Sequence, residues 1–359
     1  MRPFFVAALL LACTASAFEL KRDSTGEVVR WKKNVELVIE RQLAARMGDD
    51  ASLEAIRTAA ETLDLGTPSL SLSMREGKTR GVGYDFDVPE ANQNDVLLAE
   101  HWAFDDDLLA VTVVTVDTRS HSIVDADIAF NPKKKFRVIQ KPHGAASEYD
   151  VQGTFTHELG HAVGLAHNLD DRESIMYPTA TPGDIGKRRL TADDVSGLEV
   201  LYPSQGAATE TSPEEWEQTV GCSAGATGLA AWLLLTLVPL LRVRRSVLAM
   251  VMVSLLVPLG ARAEAESPLV GTARVVASTL LPPARGTTLL STEIELELLT
   301  CPEAACTKRM RVTVPGGRFG HLEQWVDGQP VPEVGEVLHV AFRGDREGRI
   351  LSFERLGSP

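Results

Sequence analysis

Cysteine is scarce in this chain: its 359 residues hold four, Cys13, Cys222, Cys301 and Cys306. None lies between residues 18 and 221, so that stretch can form no disulfide of its own and offers no thiolate to a metal. An excess of basic charge is also missing. The 36 Lys and Arg stand against 49 Asp and Glu, a net charge of −13, and a nucleic-acid partner needs a basic face that neutralises phosphates. Long apolar runs are few and short. Ala224–Leu241 and Val247–Ala261 each fall below the roughly 20 residues of a comfortable membrane span. With 44 % apolar and 24 % charged residues the chain is not too polar to bury a core. Its length has room for two domains, and no internal repeat is visible.

The N-terminus reads as an export signal covering residues 1–17. Arg2 precedes the apolar run Phe4–Ala12, and Ala15-Ser16-Ala17 offers small residues for cleavage before Phe18. Leu10-Leu11-Ala12-Cys13 also resembles a lipoprotein cleavage box, which would leave Cys13 lipidated; cleavage after Ala17 is the favoured reading.

Residues 18–203 read as one α/β domain. Val35–Glu40 is a β-branched, partly alternating strand. A helix follows, capped by Asp49 or Asp50 and burying Leu53, Ile56, Ala60 and Leu63, and Gly66-Thr67-Pro68 stops it. Four more strands are predicted at Ser69–Met74, Val96–Trp102, Leu109–Asp117 and Ser122–Phe130, with a turn at Asp105-Asp106-Asp107. Residues 149–164 form a helix, and a last helix runs from Leu190 to Leu201 with Thr191 as N-cap and Asp193 and Asp194 in its first turn.

The chemistry lies in the run His157-Glu158-Leu159-Gly160-His161-Ala162-Val163-Gly164-Leu165-Ala166-His167, which holds three of the eight histidines. A spacing of four puts His157 and His161 on one helical face with converging imidazoles. Gly164 lets the chain turn at a positive φ, so that His167 reaches the same point. Three neutral imidazoles with one open position make a catalytic rather than a structural zinc site. Glu158 adjoins the first ligand and can take a proton from the attacking water and deliver it to the leaving amine. An amphipathic helix with surface histidines accounts for His157 and His161, but not for Gly164 and His167 at their offsets. Ser174-Ile175-Met176-Tyr177-Pro178 follows, with Met176 nine residues after His167. Met176 reads as apolar floor, the role a core-filling Met would also play, and not as a ligand.

On these residues the region 18–203 resembles the catalytic domain of a matrixin, the metzincin subgroup that includes the matrix metalloproteinases (peptidase family M10). The resemblance implies a mixed five-stranded sheet with three helices, zinc on His157, His161 and His167, Glu158 as general base, and a Met-turn at Met176. It implies that Asp193 and Asp194 brace that turn and the chain terminus. It also makes Ser122–Asn131 the edge strand along which protein or peptide substrate lies extended. Two departures stand out. No Pro-Arg-Cys-Gly switch is present, which rules out thiol latency, and Ala180 occupies the place of a Tyr that walls the pocket after the scissile bond. Structural Ca2+ is a further cofactor of the family, but His101, His121, His143 and the acids Asp85, Asp87, Asp105, Asp106, Asp107, Asp125 and Asp127 are scattered and read as loop residues.

Residues 204–221 read as a polar linker and 222–263 as an apolar membrane or sorting segment split by Arg242–Arg245. With the arginines cytoplasmic, both flanking regions lie on the exported side. Gly221-Cys222-Ser223, the first apolar run and the arginines resemble the tripartite MYXO-CTERM sorting signals. Arg244-Arg245, Val247–Gly260 and Ala261-Arg262-Ala263 look like a second signal peptide, so the chain is either two exported proteins read as one or a two-span hairpin. Residues 264–359 read as a small β-rich domain, barrel or sandwich, without a catalytic cluster. The whole is expected to be an exported or surface-anchored zinc endopeptidase; the competing expectation is an adhesion protein that uses the same fold as a scaffold. Export of residues 264–359 lets Cys301 and Cys306 close a small disulfide loop. Thiol labelling of the exported, unfolded chain is expected to find neither cysteine reactive, and two free thiols there would overturn that topology.

Overall fold

The computed structural model describes residues 18–142, 147–204, 269–283, 288–300, 309–327, 329, 331–342 and 350–355. The signal segment, the apolar segment 222–263, His143 and all four cysteines lie outside the described residues. The chain divides into one unit that joins residues 1–207 to 268–359 and a second spanning 208–267. Among the described residues no helix is long and apolar enough to cross a membrane.

The N-terminal part of the first unit contributes strands β1 (Val35–Glu40), β2 (Leu72–Gly77), β3 (Asn94–Leu98), β4 (Ala110–Asp117) and β5 (Ser122–Phe130), and a short parallel pair, β6 (Phe136–Arg137) with β7 (Tyr149–Asp150). Helices α1 (Leu43–Met47), α2 (Ser52–Asp64), α3 (Val151–Ala162) and α4 (Ala192–Leu201) complete it. The C-terminal part is all strand: β8 (Leu269–Leu281), β9 (Ser291–Thr300), β10 (Arg309–Pro315), β11 (Gly317–Phe319), β12 (Leu322–Val326), β13 (Val337–Phe342) and β14 (Ile350–Arg355). Five of these form an antiparallel sheet in the order β10-β9-β8-β13-β14.

The main sheet has the order β11-β12-β4-β5-β3-β1-β2. Five of its strands are the expected ones: β1 runs parallel to β2 and β3, β3 parallel to β5, and β4 antiparallel to β5. The other two come from the C-terminal part, so residues 264–359 do not form the self-contained domain that composition suggests. Nor is Ser122–Asn131 an edge: β5 sits between β4 and β3, and the strand that ends the five-stranded set is β4. Seven of the eight residues of β4 are buried, because both its faces are covered. Val114 and Val116 join the core beneath α2 and α3, and Val111 and Val113 pack with Leu97, Ala129 and Val326 on the other side.

Element ends differ from the sequence reading in instructive ways. The strand expected at Ser69–Met74 lies three residues later, at Leu72–Gly77, and that expected at Val96–Trp102 ends at Leu98. Neither Asp49 nor Asp50 caps α2 by its side chain. The N-cap is Ala51, and the Asp49 carboxylate instead takes hydrogen bonds from Ala51 N and Val138 N. Thr191 does cap α4, in a reciprocal box with Asp194.

The end of α3 is tied to both chain extremities of the N-terminal part. Tyr202 Oη donates to the Val163 carbonyl at 2.7 Å and accepts from Trp31 N at 3.1 Å, while Trp31 Nε1 donates to the Ala162 carbonyl at 2.8 Å. These bonds satisfy helix-end carbonyls that have no intrahelical partner. Tyr202→Phe leaves two buried backbone groups unpaired and is expected to lower stability by about 2–4 kcal/mol in denaturant unfolding; a change near zero would show that those groups find other partners.

Candidate metal centre

Helix α3 starts at Asp150, whose carboxylate caps Gly153 N at 2.8 Å and also takes Ile139 N and the Arg188 guanidinium. From that anchor His157 and His161 fall one turn apart on the same face, both buried. Gly164 ends the helix at φ +109, where a Cβ would stand 2.8 Å from the Val29 carbonyl. The turn it makes brings His167 back. The three rings lie with centroids 4.7 Å apart (His157 to His161, and His161 to His167) and 5.3 Å apart (His157 to His167). One ligand atom from each falls within 4.8 Å of the others.

Hydrogen bonds on the outer ring nitrogens set the orientation. His157 Nδ1 donates to the Ile175 carbonyl at 2.6 Å and His161 Nδ1 to the Leu165 carbonyl at 3.0 Å, which leaves each Nε2 turned inward as an acceptor. Among the described residues His161 Nε2 is buried without a hydrogen-bond partner. Burial holds all three imidazoles below their ordinary pKa, the neutral form a metal requires. The residues therefore fit a zinc ion, three nitrogen donors with a fourth direction open.

Glu158 is buried beside them, and burial pushes its carboxyl up to about 8. Its Oε2 takes a hydrogen bond of 2.7 Å from Thr112 Oγ1 on β4, which also bonds the Glu158 main-chain carbonyl at 3.0 Å. Thr112 thus fixes the side chain that the sequence singles out, yet within the alternation of β4 nothing marks it. Lys187, in a short 3-10 turn (Gly186–Arg188), is a second unforeseen neighbour. Its ammonium donates to the Ile175 carbonyl at 3.0 Å and to the Tyr177 carbonyl, and burial brings it down to about 8. With Ala180 and Thr154 it lines a small niche.

Met176 packs closely against α3 at Gly160. Its Sδ would be 2.4 Å from a Cβ at residue 160, so glycine at that helix position is what lets the turn come so close. The turn is held by Asp194, which accepts from Ser174 Oγ at 2.6 Å and Ile175 N at 3.2 Å. Asp193 takes Asn168 Nδ2 at 2.8 Å and the backbone N–H of Phe18. Both acids occupy the bracing positions that the family resemblance implies. The other candidates stay apart from the centre. His121 pairs with Asp23 at 2.7 Å, and Asp125 and Asp127 are buried in the sheet, where burial raises both carboxyls.

One further group approaches His161 from outside the cluster. Asp327, just beyond β12, puts Oδ1 3.4 Å from His161 Nδ1 and 2.5 Å from Lys21 Nζ, while its buried Oδ2 has no hydrogen-bond partner among the described residues.

Residues 39–203 match the Peptidase_M10 family model, described as Matrixin, so this segment is a matrixin domain. Similar stretches occur in metalloendoproteinase 2-MMP of Arabidopsis thaliana (49 % identical over 55 residues, 15 % of this chain and 14 % of that protein). Others occur in human matrilysin (45 % over 47 residues, 13 % and 17 %) and bovine interstitial collagenase (36 % over 69 residues, 19 % and 14 %). The chain thus matches less than a fifth of the length of each of these relatives.

Gly160→Ala tests the close approach of the Met-turn. Helix propensity alone favours alanine by about 1 kcal/mol, but overpacking against Met176 costs about 1–3 kcal/mol. Lower stability together with weaker zinc uptake is expected, since a displaced turn carries the Ile175 carbonyl away from His157. A stabilised variant with unchanged zinc affinity would contradict this.

Proposed function

We propose that this chain is an exported zinc-dependent endopeptidase that hydrolyses extended protein or peptide substrates. The observation that carries the reading is the convergence of His157, His161 and His167, each buried pair member oriented through Nδ1, around a point that Glu158 adjoins. The matrixin domain and its metalloproteinase relatives support the same activity. Zinc bound there supplies a Lewis acid for the scissile carbonyl and lowers the pKa of the attacking water.

The protein's own residues do the rest. Glu158 adjoins the first of these histidines in the chain, where its carboxylate can accept the proton of the attacking water and hold it for the departing amine. Thr112 keeps that carboxylate in one rotamer through the reaction. Strand β4 carries Thr112 and ends the five-stranded set, so it is the strand along which an extended peptide would pair, main chain to main chain. Cleavage after Ala17 would make Phe18 the first residue and place its ammonium at Asp193, which supports export with removal of residues 1–17.

Peptide cleavage by the zinc-loaded full chain tests the reading. Glu158→Ala is expected to keep one zinc per chain and to lose about a thousandfold in turnover. Turnover within a few-fold of the parent would mean that Glu158 is not the base.

A further inference from the structure

The chain already holds a strand on the edge of β4, where an extended peptide would pair. β12 runs antiparallel to β4, from Leu322 opposite Asp117 to Val326 opposite Val113. The ladder goes one step further at each end. Thr118 N donates to the His321 carbonyl at 2.9 Å, and Asp327 N to the Thr112 carbonyl at 3.0 Å. Its last rung therefore falls on the residue whose hydroxyl holds Glu158. A sheet edge binds an extended segment through free main-chain N–H and C=O groups. Between residues 112 and 118 β12 has taken them.

Side chains and the N-terminal arm keep β12 in place. Val326 is buried with Val111 and Val113. Gln324, fully buried, donates to Thr115 Oγ1 at 3.3 Å and accepts from Leu290 N at 2.7 Å. From the arm, Lys21 Nζ lies 2.5 Å from Asp327 Oδ1 and 6.0 Å from the centre of the Trp325 ring, and Ser24 N donates to the Glu323 carboxylate at 3.1 Å. The same arm is bonded to the turn between His161 and His167, through Lys21 N to the Gly164 carbonyl and Ala166 N to the Glu19 carbonyl, each at 2.9 Å. On its far side β12 pairs with the three-residue β11, which ends the sheet. No wide sheet pins it there.

We propose that β12 is a tethered competitor for the substrate edge: the peptidase is closed while β12 pairs with β4 and opens when β12 leaves the ladder. The inference rests on the zinc-peptidase reading and adds to it the regulation of that site. A tethered segment acts at an effective concentration on the order of millimolar, against which a soluble peptide competes poorly. The blockade works through main-chain hydrogen bonds, with the arm as its clasp. It needs no thiol, in keeping with the absence of cysteine from residues 18–221.

Two variants of the zinc-loaded full chain test this, one that opens the ladder and one that locks it. Trp325→Pro puts into a central strand a residue that cannot donate to its neighbour. For the lock, Asp327 and Thr112 share a ladder hydrogen bond, so Val326 and Val113, the next pair, face each other without one. Cα atoms of such a pair stand about 4.5 Å apart, within the span of a disulfide. Val113→Cys/Val326→Cys therefore closes the ladder when oxidised and frees it after reduction with a phosphine; wild type treated alike corrects for the chain's own cysteines.

The probe is a fluorescent synthetic peptide of residues 320–328, whose binding needs no turnover. Trp325→Pro is expected to bind it, and to cleave a reporter peptide, at least about tenfold better than wild type, because closure lowers both by the fraction that is open. The oxidised double variant is expected neither to bind the probe nor to cleave, and reduction returns it to the wild-type level. That comparison decides the matter if Trp325→Pro does not fold. A locked chain that cleaves as fast as the same chain reduced would overturn the proposal and leave the peptidase reading intact. So would a folded Trp325→Pro no better than wild type in both assays. No cleavage by any of these chains, opened or locked, would overturn both.

Discussion

The carboxylate of Asp194 is the interaction on which the centre depends. It accepts from Thr191 N and Thr191 Oγ1 at the start of α4, and from Ser174 Oγ and Ile175 N in the Met-turn. A single buried acid thus joins a helix terminus to a loop that has no regular structure of its own. The loop's position matters because the Ile175 carbonyl orients His157 and Met176 packs against α3 at Gly160. Hydrogen bonds to a charged acceptor are stronger than neutral ones, which suits a loop that must stay in place while ligands on three other segments are aligned to it. From Asp194 the chain of cause runs to Ile175, to the His157 tautomer, and to the inward-facing nitrogen.

The second constraint is the sheet edge. In a mixed sheet with helices on one face, the outermost strand beside the helix that carries the histidines has unpaired main-chain groups and a position level with the chemistry. Such an edge has two uses that exclude each other: pairing with a substrate, or pairing with the chain itself. Here the chain itself holds it. The burial of seven of eight residues in β4 follows from that, since an edge open to water would not have both faces and its outer side covered.

Much of this was legible in the sequence because it is local. The four-residue spacing of His157 and His161, the glycine that allows His167 to return, and the Thr191 cap all depend on neighbours within a turn or two. The pattern of β4 and β5 was equally plain, to within a residue at the start of β4. What failed was non-local. Matching to the family put the edge at Ser122–Asn131, yet only the order of strands shows that β5 is interior. Asp49 has the character of a cap, but a longer-range partner, Val138 N, claims its carboxylate. Thr112 is one β-branched residue in a run of them and gains its role from a helix 46 residues further on. Leu322–Val326 is too short to stand out, and its partner strand lies more than 200 residues upstream, so neither its membership of the main sheet nor the placement of Asp327 could be read from composition.

That separation along the chain has a consequence in time. The histidine motif and α4 are complete once Pro203 has been made, whereas Asp327 follows about 120 residues later. At roughly 5–20 residues per second the interval is on the order of ten seconds. For that interval the emerging N-terminal part has its three clustered histidines and Glu158 but not the strand that covers β4. The nascent chain therefore passes through a stage at which its sheet edge is free to pair with whatever extended segment is nearest, its own upstream or downstream sequence included. Delayed folding of the N-terminal part, or delayed delivery of metal to it, would close that interval, and the order of synthesis itself sets how long such a delay must last.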